Sequence, residues 1–551
     1  MTESTQNLGV TQKLDATEMG GTPVVGGIAY APVVVVGPRP SAPTDLPRVP
    51  ESDRAAESER FHAAVNCVAE RLRARAANAS GVAAEVLQAN ASMAADRGWL
   101  AASDKLINAG APAEEAAVGA TDEFIEMFTR IGGMMAERVT DLRDIRDRVV
   151  AELTGQPEPG VPRPDVPSIL CALDLAPADT AGLDPDRIVG LVTELGGPTS
   201  HTAIIARQLG IPCVVAAAGV ADIPGATMAL LDGNRGVITL DPDPKLAQQL
   251  VADDEQVRQR IANWEGPGRT EDGTAVAILA NVQDGAGAVA ARDKHAEGVG
   301  LLRTELAFLD RNTEPTVDEQ AAIYREVLDA FSGGKVVIRT LDAGSDKPLA
   351  FANHPDEANP ALGVRGIRIA LDAPGLLSRQ LDAIALAAQG QTTPWVMAPM
   401  IATAAEAAAF AEQVRERGLI PGVMVEIPAA ALHARHILEH VDFLSIGTND
   451  LTQYTMAADR MSPELAALTD PWQPAVLDLV ARTAQAGRDV GKPVGVCGEA
   501  AADPLLACIL VGLGVTSLSA AVAAIPAVGA SVAAASHEQC REAAQAVLAA
   551  T

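Results

Sequence analysis

The sequence predicts a multidomain α/β protein: a small α/β domain interrupted by an all-helical insert, followed by a C-terminal (β/α)8 barrel of the TIM type. Three observations lead there. At 551 residues and 48% hydrophobic content, the chain can bury several cores. Two Pro-rich links, 38–50 and 156–167, bracket a stretch in which Pro112 is the sole proline between residues 51 and 154. Eight short apolar runs then alternate with Ala-rich helical segments from residue 277 to residue 519, the pattern of a parallel barrel.

The elements follow in order. Residues 24–36 are rich in Gly and Val, with an alternation that suits strands. Between the links, Ala, Leu, Glu and Arg recur at helical spacing, as at 61–65 and 141–146. β-like runs return at 168–171, 188–192, 213–215 and 236–239. The simplest arrangement places 1–45 and 155–247 in one α/β domain, with 46–154 as the helical insert. Residues 248–265 read as a charged linker helix. The barrel takes 266–551, with strands expected at 277–279, 298–302, 336–338, 395–397, 422–425, 443–446, 494–496 and 517–519.

Composition excludes several classes. A formal charge of −29 repels nucleic acid and anionic membranes, so an anionic substrate requires a local cationic nest. Six cysteines without a Cys-x-x-Cys pair fit a reducing, cytoplasmic setting, and the polar first twenty residues lack a secretory pattern. Residues 504–536 carry no charge, but Gly512, Gly514 and Pro526 interrupt them, which predicts a buried helix–strand–helix and no membrane span. The sequence contains no Gly-x-x-x-x-Gly-Lys-Ser/Thr loop, so ATP is not the expected phosphate donor.

Chemistry concentrates at two kinds of position. The run Gly-Gly-Pro-Thr-Ser-His-Thr at 196–202 opens an apolar-periodic segment that stops at Gly210. His201 therefore falls at a helix N-terminus, capped by Thr199 or Ser200. Exposed N–H groups there favour a phosphoryl group and disfavour imidazolium, which keeps the ring nucleophilic. In the barrel, Arg303, Arg339, Glu426, Asn449, Asp450 and Cys497 each follow an apolar run closely, at the strand ends where barrels place their chemistry. Guanidinium forks suit phosphate and carboxylate, and two carboxylates on different strands suit a hard divalent cation. His433, His436 and His440 share one helical face but lack supporting ligands, and read as an ordinary packed or solvated helix.

The 196–202 run resembles the phosphohistidine segment of enzyme I of the phosphoenolpyruvate (PEP)-dependent sugar phosphotransferase system, the PEP-protein phosphotransferases. The resemblance continues in order through 298–305, 337–342, 359–363, 423–428, 442–454, Asp459 with Arg460, and 496–499. It implies a swivelling phosphohistidine domain and transfer of phosphate from PEP to His201, then to the carrier protein HPr, with pyruvate released. It further implies that Arg303, Arg339 and Arg460 grip PEP with Asn449 and the backbone of Asp450, and that Glu426 and Asp450 hold Mg2+. Cys497 is implied as the proton donor to enolpyruvate, and the barrel as the homodimer interface. Arg365 and Lys347 are further candidates for the same pocket. Ser345 and Val364 depart from the family pattern beside that pocket, and the helical insert, which docks HPr in the family, is the least similar part. A pyruvate,phosphate dikinase or PEP synthase is the nearest alternative, although those enzymes carry a large nucleotide-binding domain; a non-catalytic PEP-sensing homologue is the other. With His201 outside the barrel, a hinge at the linker helix is expected.

Overall fold

The computed structural model describes residues 18–37, 40–43, 45–77, 82–131, 138–162, 164–175, 183–198, 200–309, 311–344, 349, 351 and 357–550. Thr199, Ser345 and Lys347, named above, lie outside the described residues. The chain divides into two compact units, 1–256 and 257–551.

The first unit is built on an eight-stranded sheet. Its strands are β1 (Glu18–Gly20), β2 (Thr22–Val25), β3 (Ile28–Val35), β4 (Ser168–Ala172), β5 (Ile188–Thr193), β6 (Cys213–Val215), β7 (Met228–Asp232) and β8 (Val237–Leu240). The order is β1-β8-β7-β3-β4-β5-β6-β2. The centre, β3-β4-β5-β6, is parallel, and the flanking pairs are antiparallel. Pro32 interrupts β3 where its partner changes: Ile28 to Pro32 pair with β7, and Val33 to Val35 with β4. A residue without an N–H fits that hand-over.

Between β3 and β4, the described residues form α-helices at Arg54–Ala77, Val82–Ala94, Arg97–Asn108, Ala113–Ile131 and Val139–Thr154. They bury a separate core that includes Phe61, Leu72, Trp99, Ile107 and Ile145. Arg148 is fully buried and pairs with Asp144 at 2.8 Å and Glu158 at 2.6 Å, which ties the last helix to the second Pro-rich link.

The expected linker helix runs from Pro244 to Ala262, four residues earlier at its start than the sequence reading and three earlier at its end. Asp243 sets the start: its carboxylate accepts from the amides of Lys245 and Leu246 at 3.0 and 2.9 Å, ahead of a proline at the first helical position.

The second unit is a closed barrel of eight parallel strands: β9 (Ala277–Val282), β10 (Gly298–Leu302), β11 (Lys335–Arg339), β12 (Trp395–Ala398), β13 (Ile420–Val425), β14 (Phe443–Ile446), β15 (Val494–Val496) and β16 (Ser517–Ala521). All eight coincide with the predicted runs. Each strand pairs with the next, and β16 closes on β9 through five residue pairs. The main core lies between strands and surrounding helices, whereas Leu301, Val337, Met397, Met424, Phe443 and Cys497 pack inside the barrel. The uncharged stretch forms helix Pro504–Leu513, β16 and helix Ile525–Ala533. Among the described residues, no helix is long and apolar enough to cross a membrane.

The histidine trio does not share one helix. His433 ends helix Pro428–Leu432 and precedes helix Ala434–Leu438; its ring lies 5.7 Å from that of His436, and both side chains are exposed.

Candidate active site at the barrel mouth

A cleft of about 580 Å³ opens at the C-terminal ends of the barrel strands. Arg303, Arg339, Glu426, Asn449, Asp450, Arg460 and Cys497 all line it. Seven side chains separated by up to 194 positions thus converge, because parallel strands deliver every strand end to the same face. His201 belongs to the other unit.

The three arginines differ in setting. Arg303 and Arg460 are exposed in the cleft. Arg339, the last residue of β11, is buried; its guanidinium meets Glu305 at 2.6 Å and Asp342 at 3.0 Å. Its Nε is buried with no hydrogen-bond partner among the described residues. Glu305 Oε1 also accepts from the Asp342 amide at 3.2 Å, so one carboxylate orients both the arginine and the following loop.

Arg365 sits behind this wall and does not line the cleft. It is buried, reaching Asp342 at 3.2 Å and Asp450 at 3.5 Å, with the Tyr454 hydroxyl 3.4 Å away. Its charge is engaged by two buried carboxylates that themselves line the cleft. Val364 adds no charge here; its amide donates to Glu357 at 2.6 Å.

Glu426 follows β13 and is fully buried. Its Oε1 accepts from the Met400 amide at 2.6 Å, while Oε2 is buried with no hydrogen-bond partner among the described residues. Burial, then the nearby Asp342 and Asp450 carboxylates, push its pKa well above the usual carboxylate range, against the pull of Arg339. One oxygen from each of Asp342, Glu426 and Asp450 lies within 4.8 Å of the others. An orphaned buried oxygen beside two further carboxylates is a donor set that fits a hard divalent cation such as Mg2+. Asp342 had been read only as part of a motif; its position three residues past β11 was the signal that it belongs to the strand-end set.

Asn449 and Glu499 hold each other reciprocally. The Asn449 amide donates to Glu499 at 2.9 Å, and the Glu499 backbone N–H donates to Asn449 at 2.8 Å. This pair joins the start of helix Thr448–Met456 to the loop that carries Cys497. Cys497 is 2% exposed, its Sγ lies 3.6 Å from the Ile446 carbonyl, and burial pushes its thiol up to about 11. It therefore stays protonated at neutral pH.

In the first unit, His201 is the first residue of helix His201–Leu209. Ser200 is its N-cap, accepting from the Ala203 amide at 3.3 Å, and Gly210 ends it in the left-handed conformation at φ 67°.

Comparison with known sequences matches this architecture segment by segment. Residues 20–138 match the N-terminal domain of PEP-utilising enzymes, 164–236 their mobile domain, and 258–537 their PEP-binding domain. The chain is 49% identical to the PEP-protein phosphotransferase of Streptomyces coelicolor over 97% of both chains. It is 41% identical to that of Haloferax volcanii over 80% of both, and 40% identical to that of Geobacillus stearothermophilus over 73% of both. The chain therefore belongs to the PEP-utilising enzymes, and within them to the PEP-protein phosphotransferase family.

Proposed function

We propose that this enzyme transfers the phosphoryl group of PEP to its own His201 and then to a histidine of the carrier protein HPr, releasing pyruvate, as the first step of phosphotransferase-dependent sugar uptake in the cytoplasm. The convergence of Arg303, Arg339, Arg460, Asn449, three carboxylates and a protonated thiol in one cleft carries this reading.

Arg303 and Arg460 are placed to take the anionic ends of PEP, and Arg339 adds a buried positive charge held in place by Glu305 and Asp342. Glu426 and Asp450, with Asp342 beside them, would hold Mg2+, which neutralises charge on the transferring phosphoryl oxygens. Asn449 and the Asp450 backbone steady the phosphate. The neutral ring of His201 attacks phosphorus; the helix N-terminus stabilises the product anion. Cys497 then gives its proton to C3 of enolpyruvate, and the resulting pyruvate no longer competes as a phosphoryl acceptor. Donor site and acceptor histidine belong to separate units, so we propose a hinge at helix Pro244–Ala262, with HPr docking on the helical insert and the barrel forming a homodimer.

The test incubates the protein with labelled PEP and Mg2+, comparing wild type with His201→Ala. Acid-labile label is expected in the wild type alone. Equal labelling of both proteins would overturn the assignment.

A further inference from the structure

A thiol that protonates carbon must be held over that carbon as well as keep its proton. Cys497 is the first residue past β15, where the strand no longer fixes the backbone by itself. Two different devices hold it. On the amide side, the Cys497 N–H donates to the Ile446 carbonyl at the end of β14 at 3.0 Å, and Sγ lies 3.6 Å from the same oxygen.

On the carbonyl side, no strand does this work. The ladder between β15 and β16 ends with the pair Val496 and Leu518, so the Cys497 carbonyl lies beyond it. A side chain takes the strand's place: Asn281 Nδ2 donates to that carbonyl at 3.0 Å. Asn281 belongs to β9, which is separated from β15 by the whole of β16. The contact therefore exists because the barrel closes.

Asn281 is itself held. The Ser519 hydroxyl on β16 donates to Asn281 Oδ1 at 2.7 Å. A carbonyl can only accept, so Nδ2 must face Cys497 and Oδ1 must face the serine; the two contacts select one orientation of the amide. Ser519 is 2% exposed, and Gly300 on β10 leaves its space open, because a Cβ there would come within 2.4 Å of the hydroxyl oxygen. Asn281 does not line the substrate cleft, so it acts on the reaction through Cys497. With N–H and C=O of one residue both tied, the direction of its Cα–Cβ bond is set and χ1 remains the thiol's main freedom.

We infer that Asn281, oriented by Ser519, is a positioning residue for proton transfer, holding the Cys497 backbone so that the thiol reaches one face of C3. This rests on the reading of Cys497 as the donor to enolpyruvate. In that step the S–H bond breaks, the electron pair of the enolate C2=C3 bond forms the new C3–H bond, and C2 becomes the ketone carbon of pyruvate. The thiolate left behind regains its proton from water before the next turnover. Phosphoryl transfer to His201 comes earlier and breaks a bond at phosphorus, so loss of the Asn281 amide acts on the later step.

The test follows one turnover of the full-length enzyme with Mg2+. PEP carrying deuterium at one of its two C3 positions, turned over in tritiated water, gives a chiral methyl group whose configuration is read after the pyruvate is trapped as lactate. Label transfer from PEP to His201 is timed in parallel. The wild type should give one configuration. Asn281→Ala, and Asn281→Asp, which keeps the shape but has no N–H for the carbonyl, should give nearly equal amounts of both, because enolpyruvate then leaves and is protonated by water on either face. Ser519→Ala should fall between. His201 labelling should stay within about threefold of wild type in all three. One configuration from both Asn281 variants, with a mixture from Cys497→Ala, would overturn the positioning role and leave the function reading intact. A fall in His201 labelling as large as the loss of configuration would reduce Asn281 to a part of the fold and overturn it too. A mixture from the wild type, or one configuration from Cys497→Ala, would remove the donor role of Cys497 and this inference with it.

Discussion

On the proposed function, the segment around His201 and the barrel mouth meet the same electrostatic problem by different means. His201 opens a nine-residue helix whose start is set by one serine and whose end is set by one glycine. The barrel mouth instead assembles residues from Gln283 to Glu499, and its charges form a linked set in which Glu305, Arg339, Asp342, Arg365 and Asp450 each touch the next. A transient covalent phosphate needs a good nucleophile and a field that a helix end supplies. A small trianionic substrate in a protein of charge −29 needs concentrated, oriented cations, and orienting a buried arginine takes buried carboxylates around it.

Substitutions should therefore hurt far more at the mouth than at the helix end. Arg339→Met is expected to be the most severe. It removes a preorganised positive charge, worth ~10²–10³ in kcat. It also removes the cationic partner of buried Glu305 and leaves Asp342 to Arg365, costing about 3–5 kcal/mol in urea unfolding of the barrel. Wild-type stability in this variant would show that the linked set is not cooperative.

Next comes Glu426→Gln. Thermal melts of the wild type should shift upward on adding Mg2+, because the ion binds the folded barrel alone. The variant should lose most of that shift along with PEP-dependent labelling. A full shift in the variant would move the ion away from the orphaned oxygen.

A smaller effect separates Cys497 from an ordinary surface thiol. Its pKa is raised to about 11, so the thiolate fraction is low at neutral pH and climbs until that value is passed. Alkylation of Cys497 by iodoacetamide, followed by mass spectrometry, should accelerate about tenfold per pH unit above pH 8. A plateau near pH 8 would mean the thiol is not desolvated.

The mildest change is expected at the helix end. Ser200→Ala removes one cap bond and should cost about 1 kcal/mol in the first unit. Label transfer to His201 should drop only a few-fold, since the backbone N–H groups remain. A loss comparable to that of Arg339→Met would erase the contrast between the two regions.

Legibility in the sequence followed the same division. All eight barrel strands were readable because they are short apolar runs bounded by Gly, Pro or charged residues. Met228–Asp232 was not: its Met, Ala and two Leu favour helix locally, and it is a strand because β3 and β8 hydrogen-bond it on both sides. Six barrel-site residues follow from one rule, polar groups at strand ends, and Arg460 from the resemblance to the enzyme I family. Asp342 obeys the same rule, three residues past β11 and no further from its strand than Asn449 is from β14. Glu305 and Glu499 enter only as the last residues of the runs 298–305 and 496–499, and nothing local announces that their carboxylates hold Arg339 and Asn449.

By itself, the sequence determined the barrel, the capped helix carrying His201, and the residue types that handle phosphate, metal and proton. Those depend on periodicity and on neighbours a few positions away. Tertiary structure alone decided which charges meet. Arg365 reaches Asp450 from 85 positions away, and Glu426 Oε2 is left without a hydrogen-bond partner among the described residues. Both outcomes depend on how closed strands bring distant side chains into one low-dielectric space, which no local pattern encodes.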